Sequence, residues 1–190
     1  MLIYLHGFNS SPGSHKAQLL KLYMEERGLG GQYRCPALPP PGGRAIATVE
    51  AEIAQHPRES VTLVGSSLGG FYSSYLAERH DLRAVLINPA VNPHEDLRAY
   101  LGMQRNLHTQ RQYELTEEHL RQWERLYLPT VRPQRYLLLV ETGDEVLDYR
   151  EAVEKYRGAR QIVITGGDHS LASFSEHIPL ILEFAGLALA

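Results

Sequence analysis

The chain has 190 residues, of which 43% are hydrophobic and 22% charged, with a formal net charge of −3. This length and composition are typical of one globular domain, which we place at residues 1–190. The weak negative charge excludes the basic footprint of a nucleic-acid-binding protein, and no apolar run approaches the roughly 20 residues that span a bilayer.

The beginning of the chain and its cysteine content indicate the cell compartment in which the protein is expected. Leu2–Leu5, the first apolar run, begins directly after Met1 and leaves no room for the charged and apolar regions of a signal peptide. The single cysteine, Cys35, cannot form an internal disulfide, which fits a reducing environment. We therefore expect a cytoplasmic protein, and keep a homo-oligomer open as an alternative to a monomer.

Short apolar runs alternate with helical patterns along the chain. The runs are continuous and rich in Leu, Ile and Val, which is typical of strands covered on both faces of a parallel sheet. In chain order, the patterns predict strand Leu2–Leu5, helix Ser14–Arg27, strand Tyr33–Cys35, helix Ala45–Gln55, strand Val61–Val64, helix Leu68–Arg79, and strands Ala84–Ile87, Tyr136–Val140 and Gln161–Ile164, followed by helix Ser173–Ala185. This alternation indicates an α/β fold with a mostly parallel, doubly wound sheet of about six strands.

One interval, between Asn88 and Arg135, shows no strand pattern. The sequence Asn92-Pro-His-Glu95 predicts a helix start, and Leu115–Leu128 has the apolar spacing of a second helix. We predict a helical lid insertion at residues 91–131. An ordinary crossover that has become longer is the alternative, and the pattern favours neither.

The stretch Gly65–Gly69 fits the pattern G-x-S-x-G, after a predicted strand and before a predicted helix. In the nucleophile elbow typical of this pattern, the apical serine is strained and exposed at a sharp strand-to-helix turn. Strand and helix then approach each other two residues to either side of the apex, where side chains must be small. Glycines occupy both of these positions around Ser67, whereas Val64 and Leu68 would flank Ser66. We therefore predict Ser67 as the nucleophile and Ser66 as a packing residue.

An acid and a histidine follow two successive predicted strands. These strands lead into Glu141-Thr-Gly-Asp144 and Thr165-Gly-Gly-Asp-His169. Ligands bind at the carboxyl ends of such strands, and the order serine, acid, histidine is the one expected for this architecture. We predict His169 as the base that takes the proton of Ser67, and Asp144 as the acid that orients it.

Three other acids compete with Asp144 for this role. Asp168 adjoins His169, but neighbours in a chain usually point apart. Asp148 already fits the start of a helix, and Glu145 is the weakest rival.

Two backbone amides complete the predicted site. Leu68 follows the nucleophile at a helix N-terminus, and Phe8 lies in the loop after the first strand. We predict that both N–H groups form the oxyanion hole, and that His6 makes a supporting hydrogen bond. The sequence shows neither a His-Glu-x-x-His pattern nor a Cys/His cluster, so we expect no metal and no cofactor.

Together these segments resemble the α/β-hydrolase superfamily. More narrowly, five of them resemble the YqiA/YcfP-type family of small bacterial esterases, and its YqiA side most: Leu5–Pro12, Gly65–Phe71, Ile87–Ala90, Glu141–Asp148 and Gly166–His169. The resemblance implies a compact α/β-hydrolase fold without the first two strands of larger relatives. It also implies esterase activity on acyl esters, extending to long-chain acyl-CoA thioesters, with the triad Ser67, His169 and Asp144.

The function expected from the sequence is therefore that of a serine hydrolase, which cleaves small-molecule esters or acyl thioesters through an acyl-enzyme intermediate. A non-catalytic binding protein with the same fold is one alternative. A peptidase or acyltransferase that uses the same triad is another.

Overall fold

The computed structural model describes residues 1–187; residues 188–190, which the predicted domain includes, lie outside this part. In chain order, the described strands are β1 (Leu2–Leu5), β2 (Tyr33–Arg34), β3 (Thr62–Ser66), β4 (Arg83–Ile87), β5 (Gly102–Arg105), β6 (Gln112–Leu115), β7 (Tyr136–Glu141) and β8 (Arg160–Ile164). The α-helices are α1 (His15–Glu25), α2 (Gly42–Ile53), α3 (Leu68–His80), α4 (Pro93–Asp96), α5 (Glu117–Leu126), α6 (Tyr149–Lys155) and α7 (Phe174–Phe184).

Six strands form one parallel sheet in the order β2-β1-β3-β4-β7-β8. The chain first moves from β1 to β2 on one side and then to β3 on the other. The strand order thus reverses between β1 and β3, and in open α/β sheets ligands bind outside the carboxyl ends of the strands at such a point. The loops after these two strands carry the predicted Phe8 and Ser67.

Apolar side chains cover both faces of the sheet because successive residues of a strand point to opposite sides. Along β1, Ile3 faces the cluster that contains Val49 of α2. Tyr4 faces the opposite cluster, which contains Leu20 of α1 and Ile178 of α7. Both faces are therefore buried under helices, as the continuous apolar runs predicted.

The segment 91–131 differs in part from its prediction. It contains the expected helices α4 and α5, but between them β5 and β6 form an antiparallel hairpin. The sequence did not indicate this hairpin, because its strands are short, mostly polar and paired with each other rather than buried in the main sheet. Among residues 1–187, no helix is both long enough and apolar enough to cross a membrane.

Candidate active site

Ser67 lies in the turn between β3 and α3 in a strained backbone conformation. Its φ is 54° and its ψ is −122°, which a residue with a side chain adopts only when its surroundings enforce it. A β-carbon at Gly65 would overlap the carbonyl oxygen of Gly69, and one at Gly69 would overlap that of Leu5. Strand and helix therefore close on each other around Ser67. Ser66 is buried in β3, with 6% of its surface exposed.

The loops after β7 and β8 bring Asp144 and His169 together. Nδ1 of His169 lies 2.8 Å from Oδ2 of Asp144, whose side chain is 1% exposed. Because an ionised carboxylate only accepts hydrogen bonds, Nδ1 carries the ring proton and Nε2 keeps its lone pair. This is the arrangement that a general base needs from its orienting acid.

The environment of Asp144 keeps its carboxylate ionised. Burial by itself raises the pKa of this group. Hydrogen bonds from the His169 ring and from the amides of Leu147 and Val146 outweigh burial, so that the pKa of Asp144 lies below its ordinary value. The negative charge is therefore present at neutral pH.

The three rival acids bind backbone amides instead of the His169 ring. Asp168 accepts from the amide of Ser170 at 2.8 Å. Asp148 is the N-cap of α6, and Glu145 accepts from the backbone N–H of His169 at 3.0 Å. Each of the three therefore has a local structural role.

Ser67 and His169 both follow strands of the sheet at their carboxyl ends. In the described part of the chain, the Ser67 hydroxyl forms no hydrogen bond with the His169 ring, whereas Asp144 does. Catalytic hydrogen bonds are often long until a substrate is bound. The structure thus joins Asp144 to His169, and the contact of His169 with Ser67 stays a prediction.

The loop after β1 runs alongside Ser67. A β-carbon at Gly7 would lie 3.2 Å from Cβ and 3.7 Å from Oγ of Ser67. Phe8 is the next residue in this loop, and Leu68 is the first residue of α3, where a backbone N–H has no partner within the helix. Leu68 is therefore adjacent to Ser67, and Phe8 follows the glycine that approaches Ser67; their binding of an oxyanion stays a prediction.

His6 is a buried residue whose ring contacts two segments of the chain. Its Nε2 accepts a hydrogen bond from the amide of Leu38 at 3.0 Å, and its Nδ1 lies 3.1 Å from the carbonyl oxygen of Gly7. Burial lowers the pKa of His6, which favours the neutral ring. The ring thus fastens the loop after β1 to the segment that contains Leu38.

A cavity of about 750 Å³ opens beside Phe8 and Leu68. Its size lies within the usual range of small-molecule sites, which is about 300–1,000 Å³. Leu38 and three consecutive prolines form part of an apolar wall, while Arg111 contributes a polar side. Within residues 1–187, no group of three or more His, Cys, Asp or Glu side chains is arranged to hold a metal ion.

The β5–β6 hairpin forms another wall of this cavity and is tied to the loop after β1. The hydroxyl of Tyr113 donates to Oδ1 of Asn9 at 2.7 Å, and Nδ2 of Asn9 donates to the side chain of Gln104 at 3.0 Å. The amide of Leu107 donates to the carbonyl oxygen of Asn9 at 2.8 Å. The hairpin therefore holds the residue that directly follows Phe8.

Two residues that the sequence did not single out, Asn88 and Glu141, contact the loop that carries His169. Asn88 follows β4 and Glu141 ends β7, and they are 2% and 1% exposed. A buried acid at the end of an apolar strand is a signal that the sequence contains. Its partners, however, lie in a loop far along the chain, and no local pattern identifies them.

Comparison with protein-family models shows the family of this chain. A model described as "Uncharacterised protein family (UPF0227)" matches residues 1–186. The chain belongs to UPF0227. This match confirms the family resemblance that the five motif segments predicted.

Two UPF0227 proteins from Pectobacterium are similar to part of the chain. That of Pectobacterium carotovorum subsp. carotovorum (strain PC1) is 30% identical over 98 residues, which are 51% of this chain and 54% of the relative. That of Pectobacterium atrosepticum (strain SCRI 1043) is 31% identical over 99 residues, with the same coverage of 51% and 54%. The matched region therefore spans about half the length of these relatives.

Solved structures resemble this UPF0227 protein over almost all of its length. A putative hydrolase from Agrobacterium vitis S4 has a TM-score of 0.77 at 17% identity, covering 97% of this chain and 87% of that one. Mouse alpha/beta hydrolase domain-containing protein 10 has a TM-score of 0.73 at 16% identity, covering 97% and 89%. Est1E from Butyrivibrio proteoclasticus with bound ferulic acid has a TM-score of 0.66 at 15% identity, covering 97% and 85%. At these identities the likeness shows the fold alone, and it confirms the predicted α/β-hydrolase fold.

Proposed function

We propose that this protein is a serine hydrolase that needs no cofactor and cleaves small-molecule carboxylic esters or acyl thioesters, acyl-CoA among them. The observation that carries this proposal is the hydrogen bond between His169 and Asp144, on loops at the same sheet edge as the strained turn of Ser67. A protein that only binds ligands needs neither a strained serine nor a buried acid on a histidine. The ferulic acid bound to the similar structure of Est1E is a carboxylic acid, which is the kind of product that ester hydrolysis releases, and so supports an ester substrate.

In the first half of the proposed reaction, Oγ of Ser67 attacks the carbonyl carbon while Nε2 of His169 takes its proton. The carbonyl oxygen becomes negatively charged and accepts hydrogen bonds from the amides of Phe8 and Leu68. One such donor contributes about 10²–10³ to kcat in other hydrolases. The intermediate then collapses, and the alcohol or thiol leaves with the proton from His169.

In the second half, a water molecule releases the acyl group that Ser67 holds as an ester. His169 takes a proton from the water, whose oxygen attacks the acyl carbon and forms a second oxyanion in the same hole. The bond to Oγ breaks, the carboxylic acid leaves, and Ser67 regains its proton from His169. Asp144 stays ionised throughout and stabilises the positive ring that forms in each half.

We assign the substrate's acyl or leaving group to the cavity beside Phe8 and Leu68, and the covering role to segment 91–131. Tyr113 of the hairpin and His119 of α5 line this cavity together with Leu38. The mixture of apolar and polar walls suits a substrate that has both a hydrocarbon and a polar part. The kcat/KM values for p-nitrophenyl esters and acyl-CoA thioesters of increasing chain length show whether the cavity binds the acyl group or the leaving group.

The proposed function is tested by the substitution Ser67→Ala, with Ser66→Ala as its matched control. Ser67→Ala removes the nucleophile, so kcat for p-nitrophenyl esters should fall by roughly 10⁴- to 10⁶-fold. Ser66→Ala changes a buried neighbour and should keep most of the activity. Equal turnover by wild type and Ser67→Ala would refute the assignment.

A fluorophosphonate probe separates the alternative functions. Stoichiometric labelling at Ser67 together with ester turnover supports the hydrolase. Labelling without turnover of esters or thioesters indicates a peptidase or acyltransferase that uses the same nucleophile. The absence of both labelling and turnover indicates the non-catalytic binding protein.

A further inference from the structure

We propose that Asn88 and Glu141 are positioning residues that together fix His169 relative to Ser67. The proposal rests on the hydrolase function proposed for this site. Neither residue is given a chemical step: they act through the backbone of the loop that carries the base.

Glu141 holds the histidine loop from both sides of His169. Its Oε2 accepts from the amides of Asp168 at 2.8 Å and Ala172 at 3.0 Å. Its Oε1 accepts from Ser173, through the amide at 3.1 Å and the hydroxyl at 2.6 Å. Four donors from residues before and after His169 thus converge on one carboxylate.

The loop approaches Glu141 so closely that only glycine fits at one position. A β-carbon at Gly167 would overlap the carboxylate of Glu141, and the φ of Gly167 is 71°, in the region that glycine favours. The backbone two residues before His169 therefore lies directly against the carboxylate. Because the two are in direct contact, a change in the Glu141 side chain would shift the backbone of the loop.

Asn88 binds the same loop from the neighbouring strand. Its Nδ2 donates to the carbonyl oxygens of Asp168 at 3.0 Å and His169 at 3.1 Å. Its Oδ1 accepts from the amide of Glu141 at 3.0 Å. The Asn88 side chain thus links the backbone carbonyl groups of Asp168 and His169 to the backbone of Glu141.

Ile87 and Ala90, which flank the pair Asn88-Pro89, bind the backbone of the proposed nucleophile. The amide of Ser67 donates to the carbonyl oxygen of Ile87 at 3.0 Å, and the amide of Ala90 donates to the carbonyl oxygen of Ser67 at 3.1 Å. The segment 87–90 therefore touches both the base loop and the nucleophile turn. Its geometry sets the separation of the two groups between which a proton must pass.

The carboxylate of Glu141 does what an amide cannot do at this position. A glutamine side chain has only one acceptor oxygen. Its NH₂ group would take the place of the second carboxylate oxygen and would face N–H or O–H donors with which it cannot form hydrogen bonds. At least one buried N–H of the histidine loop would lose its partner, and the remaining bonds would lose their charge assistance. The loop would then relax away from its position.

The test compares Glu141→Gln with Glu78→Gln. Glu78 is a matched control, because its partly buried carboxylate accepts from Arg132 and from the Tyr136 hydroxyl at the opposite end of β7. A displacement of about 1 Å can cost a hundredfold in rate, so Glu141→Gln should lower kcat by about 10- to 100-fold with little change in KM. Glu78→Gln should be less stable than wild type and keep its kcat.

A second measurement does not depend on turnover. The hydrogen-bonded Nδ1 proton of His169 gives a low-field proton resonance, which is absent from a His169→Ala control. We expect this resonance to persist in Glu78→Gln and to weaken or shift in Glu141→Gln. If wild type proves inactive, the proposed function fails, and this spectrum still tests whether Glu141 positions His169.

One result would overturn the proposal. Glu141→Gln with wild-type kcat per folded molecule and an unchanged His169 resonance would make Glu141 a merely structural acid. Should that variant not fold, Asn88→Asp gives the same test, since it keeps an acceptor for Glu141 and replaces the donor to His169 by a carboxylate oxygen. Wild-type kcat and an unchanged resonance in that variant would equally refute the proposal.

Discussion

His169 is hydrogen bonded through its ring to Asp144, 25 residues earlier in the chain, and not to the adjacent Asp168. Asp168 turns to the amide of Ser170 instead. The candidate base and its candidate acid thus come from loops after two neighbouring strands, β8 and β7. Their pairing is possible because parallel strands end at the same edge of the sheet.

Asp144→Asn should lower kcat/KM by roughly 10⁴-fold, because an amide cannot hold the His169 ring in the tautomer that leaves Nε2 free. Asp148→Asn serves as the control, since Asp148 caps α6 and should affect stability more than rate. Steady-state kinetics on a p-nitrophenyl ester measures both. A larger loss in Asp148→Asn than in Asp144→Asn would move the acid role to Asp148.

Gly69→Ala should destabilise the turn around Ser67, because its β-carbon would overlap the carbonyl oxygen of Leu5. Overpacking of this kind costs about 1–3 kcal/mol in the free energy of unfolding. Gly31→Ala is the control, because no atom lies within 4 Å of the β-carbon it would add. Urea denaturation and fluorophosphonate labelling of Ser67 report the two effects. Wild-type stability and labelling in Gly69→Ala would contradict the close approach.

Tyr113→Phe removes the hydroxyl that donates to Asn9, the residue after Phe8. A typical hydrogen bond contributes about 1 kcal/mol, so if the bond serves to hold the oxyanion loop, kcat should fall by about fivefold. Tyr23→Phe on α1 removes a hydroxyl from another part of the fold and should leave kcat unchanged. An unchanged kcat in Tyr113→Phe would mean that the hairpin only covers the cavity and does not position Phe8.

The stability of the protein in acid should depend on Glu141. Burial by itself raises the pKa of this carboxyl, but hydrogen bonds from Ser173, Asp168 and Ala172 lower it below its ordinary value of 4.5. Between the folded and ordinary pKa values the unfolded chain binds more protons. The stabilisation is therefore present above pH 4.5 and is lost as the pH falls through the folded pKa.

Urea unfolding at pH values from neutral to acidic measures this effect. The free energy of unfolding should fall less steeply below pH 4.5 in Glu141→Gln than in wild type. The charged neighbours Lys16, Asp144 and Asp168 remain in both proteins, so the difference isolates Glu141. Glu124→Gln on the exposed side of α5 is the control and should follow wild type. Parallel curves for wild type and Glu141→Gln would contradict the lowered pKa.

Features that depend on neighbouring residues could be predicted from the sequence. Continuous apolar runs predicted five of the six strands of the main sheet, β2 being the exception, because a strand buried on both faces must be apolar throughout. The glycines around Ser67 predicted the apex of the turn, since a side chain at Gly65 or Gly69 would overlap backbone atoms. These signals are local, so they can be read without knowing the fold.

Other features depend on residues that meet only in the folded chain. The β5–β6 hairpin has no apolar run, and its bonds to Asn9 join positions 95 and 104 residues apart. The residues that donate hydrogen bonds to Glu141 are 27 to 32 positions away from it in the chain. Sequence alone therefore determined the fold class and the candidate nucleophile, base and acid. Only the tertiary structure decided which side chains bind the loop of the candidate base, because the partners of a buried carboxylate come from distant parts of the chain that folding brings together.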